Sequence, residues 1–168
     1  MATFTPKAEI LVLGIGNTLL RDEGIGVHVI RFLQNCSIPD NVELLDGGTY
    51  GFDLLDIICD RKAVILIDAV DVGNPPGTVV CFTSQDILPA NVSPISAHNI
   101  DFDQVMKMAS LLQCAPKKVI IYGIQPASIE AGLLLSPDIA TVVPKIASLV
   151  IDQLNDLLRS ADWKMTET

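Results

Sequence analysis

Positive charge is scarce in this chain. Eleven Lys and Arg stand against twenty Asp and Glu among 168 residues, giving a formal net charge of −9 and a pI near 4.4. Nucleic-acid binding draws its electrostatic term from clustered Lys and Arg, so that class is excluded. Long apolar runs are missing too. None approaches the roughly 18–20 residues that a membrane span needs. Met1–Glu9 is polar and mixed, without the basic stretch and apolar segment of a signal peptide. Cysteine is limited to Cys36, Cys59, Cys81 and Cys114, with no CxxC or Cys/His cluster for a structural zinc. Each lies among apolar neighbours and reads as a small buried hydrophobe in a reducing, cytoplasmic compartment.

Several chemical signatures are also absent. Gly14-Ile15-Gly16-Asn17 follows an apolar run, but a dinucleotide fingerprint needs glycine at position 19, where Leu19 stands. The glycines therefore read as tight-turn and close-packing positions. There is no phosphate-binding GKS/T, no GxSxG and no HExxH, and the histidines are only His28 and His98. His28 sits in a helical pattern between Val27 and Val29 and reads as structural.

What is present is an alternation of strands and helices. With 49% hydrophobic and 18% charged residues, the chain is expected to fold as one domain over 1–168, its core spanning about 9–158. Glu9–Gly14, Val42–Leu45, Ala63–Ile67, Thr78–Phe82 and Lys117–Tyr122 read as strands, with Ala63–Ile67 central. The short turn at Gly73–Gly77 gives Thr78–Phe82 an antiparallel partner. Gly26–Gln34, Tyr50–Asp60 and His98–Leu112 read as helices, and Ile87–Ala97 as a loop. Ser136-Pro137-Asp138 opens a last helix, which Pro144 is expected to kink or divide, and residues 161–168 read as a frayed tail. The fold class is α/β, a mostly parallel sheet with helices on both faces.

In such folds ligands bind outside the carboxyl ends of the strands. Asn17, Arg21, Asp22 and Glu23 follow the first strand, Asp46 ends the second, and Asp68 and Asp71 follow the third. Carboxylates therefore gather on one edge of an apolar sheet. Asp68 must be solvated, paired or metal-bound, because an isolated buried charge is very costly. His98 enters a helix with Ser96 as N-cap, and a helix N-terminus keeps the imidazole neutral, as a metal ligand must be. Taken singly, Glu23, Asp68 and His98 read as a helix-end carboxylate, a turn cap and a half-buried histidine. Together they make a candidate mixed oxygen and nitrogen metal site.

The blocks Ile10–Asn17 and Asp22–Gly26 resemble the opening of the hydrogenase maturation proteases, which finish the large subunit of nickel–iron hydrogenases. Asp46-Gly47-Gly48-Thr49, Ile67-Asp68-Ala69 with Pro76-Gly77, Ser96-Ala97-His98-Asn99, Gly123-Ile124-Gln125-Pro126 and Leu135-Ser136-Pro137 follow in family order over roughly residues 9–155. The resemblance implies a three-layer α/β/α sandwich around a five-stranded sheet. It implies an endopeptidase that removes a C-terminal extension just beyond the Cys-x-x-Cys motif of a nickel-loaded large-subunit precursor. The family's nickel-recognising ligands fall on Glu23, Asp68 and His98. The nickel is the substrate's own, and another divalent cation can take its place in isolation. Glu23 and His98 are expected to be at least partly exposed in a cleft.

For the cleavage step, Asp46 is the candidate general base and Asp22 the second candidate. A metal bound by the three ligands is the alternative activator of water, and backbone N–H groups of Gly47 and Gly48 are the available oxyanion donors. The expected partner is the precursor alone, with no nucleic acid and no membrane, and the chain is expected to act as a monomer. The competing readings are a non-catalytic nickel-binding or metallochaperone module on the same three ligands and, more weakly, a small-molecule hydrolase on a similar sheet.

Overall fold

The structure, a computed structural model, describes residues 7–83, 93–94 and 98–160, with side chains over 7–83 and 102–160. The N-cap expected at Ser96, the tail over 161–168 and most of the loop expected over 87–97 lie outside the described residues.

Five strands form the main sheet: β1 (Ile10–Ile15), β2 (Val42–Gly48), β3 (Ala63–Asp71), β4 (Val79–Thr83) and β6 (Lys118–Ile124), in the order β2-β1-β3-β6-β4. β1 lies parallel to β2 and β3, and β3 parallel to β6, whereas β4 runs antiparallel to β6 at the edge. The antiparallel expectation for β4 holds, with β6 rather than β3 as its partner. A two-residue β5 (Ser93–Pro94) pairs antiparallel with Val70 and Asp71 of β3, in a stretch expected to be loop.

Helices cover both faces, as strands buried on both sides require. On one face, α1 (Ile25–Leu33) and α4 (Pro137–Arg159) pack on Ile10, Val12, Ile65 and Ile67. On the other, α2 (Leu54–Ile58) and α3 (His98–Leu111) pack on Leu11, Leu13, Val64 and Leu66. The alternation of strand side chains thus divides the core into two layers.

Three readings need correction. β3 does not stop at Ile67. Its ladder with β6 continues through Asp68 and Ala69, and β5 holds Val70 and Asp71, so Asp68 lies inside the strand. The helix expected over Tyr50–Asp60 is reduced to Leu54–Ile58, and it buries Leu54 and Ile58 while Phe52 is left 55% exposed. Pro144 does not divide α4, which runs for 23 residues. Its apolar stripe, from Ile139 and Val143 through Ile146, Val150 and Leu154 to Leu157, is buried along its length and offsets the one hydrogen bond a proline removes.

The cysteines also depart from expectation. Cys59 and Cys114 form a disulfide, while Cys36 is half-buried and Cys81 exposed. Asp60 N–H donates to the Cys114 carbonyl at 2.9 Å, so the end of α2 and the segment after α3 meet. A separation of 55 residues leaves no spacing signal for such a pair.

Candidate active site

The carboxyl edge of β1 is built by close backbone approach. A Cβ on Gly26 would lie 2.2 Å from the Ile67 carbonyl oxygen and 2.5 Å from that of Ile15, so only glycine lets α1 seat its first turn on β1 and β3. Gly16, at φ +133°, has the Glu23 carbonyl oxygen 1.9 Å from where its Cβ would stand. Ahead of α1, residues Arg21–Gly24 form one 3-10 turn that packs on β3.

That turn carries both acidic residues of the first loop. Glu23 is only 5% exposed, not open in a cleft as expected, and the Gly16 turn packs on its backbone. Asp68 is wholly buried, and its Oδ1 accepts the Ala69 N–H at 2.7 Å. Its side shares Val64 and Leu66, which face α2 and α3. His98 is the first residue of α3, and its side chain lies outside those described. Among the described residues no three His, Cys, Asp or Glu side chains gather as a metal-holding group.

Asp22 is wholly buried and holds a loop in place. Its Oδ2 accepts the N–H groups of Ala127 at 3.0 Å and Ser128 at 2.9 Å, and its Oδ1 accepts that of Ser136 at 2.6 Å. Wholly buried and engaged on both oxygens, this carboxylate is not open to a water molecule from solvent. Its chemistry here is that of an anchor between the first loop and the segment after β6.

Asp46 sits differently. It shares the side of β2 that carries Val42 and Leu44, which pack with α1 and α4, so it faces away from Asp68 across the sheet. Its Oδ1 accepts the Gly48 N–H at 3.1 Å, and its Oδ2 lies 3.4 Å from Arg31 Nη2, with 38% of the side chain exposed. The Gly48 N–H is therefore committed to Asp46 and drops out of the oxyanion donors. In register, Asp46 pairs with Gly14 and Gly14 with Ile67, so the two acidic strands flank β1.

His28, read as structural from its sequence context, belongs to this second group. Its Nε2 is buried without a hydrogen-bond partner. Burial holds its pKa below the usual histidine value, Arg31 adds to that, and Asp46 opposes it. Its spacing of three residues from Arg31 puts both on one helical face. That periodicity was the available signal.

Comparison with known proteins adds identity to this geometry. A family model described as hydrogenase maturation protease matches residues 27–153. The chain is 35% identical over 150 residues to the hydrogenase 2 maturation protease of Escherichia coli strain K12, covering 88% of this chain and 92% of that one. It is 40% identical over 144 residues to the hydrogenase expression/formation protein HupD of Rhodobacter capsulatus, covering 83% and 68%. A solved structure of the hydrogenase maturating endopeptidase HybD from E. coli superposes with a TM-score of 0.81 at 36% identity, over 88% of this chain and 93% of that one.

Proposed function

From the premise that the chain belongs to the hydrogenase maturation protease family, a family of hydrolases, we infer that it removes the C-terminal extension of a nickel-loaded hydrogenase large-subunit precursor. Glu23, Asp68 and His98 recognise the nickel, which arrives with the substrate. Two oxygen donors and a neutral imidazole suit a borderline divalent cation, and in isolation another such cation can take the place. The observation that carries this reading is the burial of Asp68 and Glu23 at the carboxyl edge of a parallel sheet. Burying a charged carboxylate in an apolar sheet is costly, so the position of Asp68 favours a role in binding.

Asp46 serves as the general base. It accepts a proton from water while the water oxygen attacks the scissile carbonyl, and the proton then passes to the leaving amine. Asp46 is favoured over Asp22 because its carboxylate is partly open, whereas both oxygens of Asp22 are held by backbone N–H groups. Adjacent strands lie about 4.8 Å apart, so the rows of Asp46 and Asp68 are separated by about 10 Å across β1. An extended peptide covers that in-sheet distance in about three residues, and it must also pass over the carboxyl end of β1, because the two side chains lie on opposite faces.

The test is incubation of the protein and its Glu23→Gln variant with nickel-loaded and nickel-free precursor, followed by mass analysis of the precursor's C-terminus. Trimming of the loaded precursor only, reduced at least about tenfold in the variant, is expected. Equal trimming of loaded and nickel-free precursor refutes metal recognition, and an untrimmed precursor refutes the protease reading.

A further inference from the structure

The turn that carries Glu23 is stitched to the segment after β6. Gly132 N–H donates to the Leu19 carbonyl at 2.9 Å, Arg21 N–H to that of Gly132 at 2.9 Å, and Asp22 N–H to that of Ser128 at 3.2 Å. The three N–H bonds to the Asp22 carboxylate complete the join. This is a fastened loop, yet it exposes large apolar side chains. Leu19 is 62% exposed, Ile129 47%, Leu133 69% and Leu134 78%. Four such residues lie on two segments that these bonds join, more than the single scattered exposures normal for a surface.

Arg21 lies on the first of these segments and is itself unusual. Its φ is +47°, a left-handed backbone that a side chain as long as arginine's disfavours. Its Nε is buried without a hydrogen-bond partner. No ion pair to its guanidinium forms among the described residues, although the chain carries 20 acidic residues. A Cβ on Gly132 would stand 2.9 Å from Arg21 Cγ and Nε, so the side chain lies against the loop and not out in solvent. A strained backbone, an unsatisfied buried donor and a cation without an ion pair at one residue cost stability.

We propose that Leu19, Ile129, Leu133, Leu134 and Arg21 form the docking ledge for the precursor, gripping an apolar stretch of its chain that carries an acidic group for Arg21. The proposal rests on the processing function inferred above, since it names the occupant from it. Two observations select that occupant. The ledge is continuous with the turn that bears Glu23, so a chain held there is delivered to the site. Its one cation, Arg21, has no ion pair among the described residues of a protein of net charge −9, which selects a carboxylate on the partner. Because the ledge is fastened before binding, little ordering cost is left to be met on docking.

The experiment titrates nickel-loaded precursor against the full chain and measures Kd directly, with C-terminal trimming followed in the same samples. Leu133→Ser with Leu134→Ser is expected to weaken binding about tenfold or more, as the loss of apolar anchors does. It should leave Tm unchanged, since both side chains are exposed. Arg21→Gly is expected to weaken binding while holding or raising Tm, because glycine accepts the left-handed backbone, whereas Arg21→Lys keeps most of the affinity. At saturating precursor the trimming rate of the leucine variant should match that of the unmodified protein. Unchanged Kd in both the leucine variant and Arg21→Gly overturns the ledge. If the unmodified protein binds the precursor without trimming it, the processing function falls and the ledge is still judged by Kd. If it does not bind at all, both fall.

Discussion

Replacing Asp22 separates an anchor from a catalyst. In Asp22→Ala the N–H groups of Ala127, Ser128 and Ser136 lose their acceptor together. The Ser136 donor is buried and costs about 1–3 kcal/mol when left unpaired, whereas the part-buried donors of Ala127 and Ser128 can turn to water and cost less. The total loss is about 2–5 kcal/mol. A domain of this length has about 5–15 kcal/mol in total, and each kcal/mol moves Tm by about 2–4 °C, so Tm should fall by roughly 4–20 °C. Asp22→Asn retains one carbonyl oxygen. Set against Ala127 and Ser128, it keeps two bonds and turns its amide toward Ser136 N–H, for a loss of about 1–3 kcal/mol. Urea titration with parallel thermal scans should therefore rank the unmodified protein above Asp22→Asn and that above Asp22→Ala. Hydrogen exchange should quicken at residues 127, 128 and 136. Both variants within about 0.5 kcal/mol of the unmodified protein, as for an inert surface change, would refute the anchor. Loss of trimming in Asp22→Asn at unchanged stability would return Asp22 to the catalytic role.

Gly26→Ala places a methyl carbon 2.2 Å from the Ile67 carbonyl, where neither backbone can give way cheaply, so a loss of about 1–3 kcal/mol is expected by urea titration, and unchanged stability would show that α1 is not seated on β3. Asp46→Asn should bind the precursor normally and trim it at least about 10²-fold more slowly in single turnover. Asparagine still accepts the Gly48 N–H and loses only a half-exposed ion pair, so persisting cleavage would reduce Asp46 to a turn former. Burial, reinforced by Cys81, Asp152 and Asp156, raises the Tyr122 pKa from its ordinary 10 to about 12. The unfolded chain then loses a proton that the folded chain keeps, so this contribution is whole below pH 10 and lost between pH 10 and 12. Thermal scans across that window should fall more steeply for the unmodified protein than for Tyr122→Phe, and parallel curves would show that the phenol is not protected.

The parts of the fold that were legible in the sequence are those fixed by local pattern. Ala63–Ile67 had to be an inner strand because nothing in it tolerates water, and it lies between β1 and β6. Gly14 and Gly16 read as tight-turn and close-packing positions, and the backbone carbonyls of Gly26 and Glu23 lie where their side chains would stand. The same logic failed where a long-range partner overrides local character. Asp68 is the residue at which an apolar strand should end, yet pairing with Gly123 carries β3 past it. The Cys59–Cys114 bridge joins segments whose approach no spacing announces.

Asp22 and Glu23 show the limit most sharply, because neighbouring acids in a sequence carry no label for their tasks. Asp22 is consumed by N–H groups 105–114 residues away, which no local pattern reveals. The sequence likewise places Asp46 and Asp68 on one edge, but side-chain alternation along β2 and β3 turns them to opposite faces. That separation bears on mechanism. A base that faced the metal ligands would be a ligand itself, since any carboxylate within reach of a divalent cation competes for it. If Glu23, Asp68 and His98 hold the nickel as proposed, Asp46, placed across β1 with Arg31 and His28 as its neighbours, is kept apart from that site.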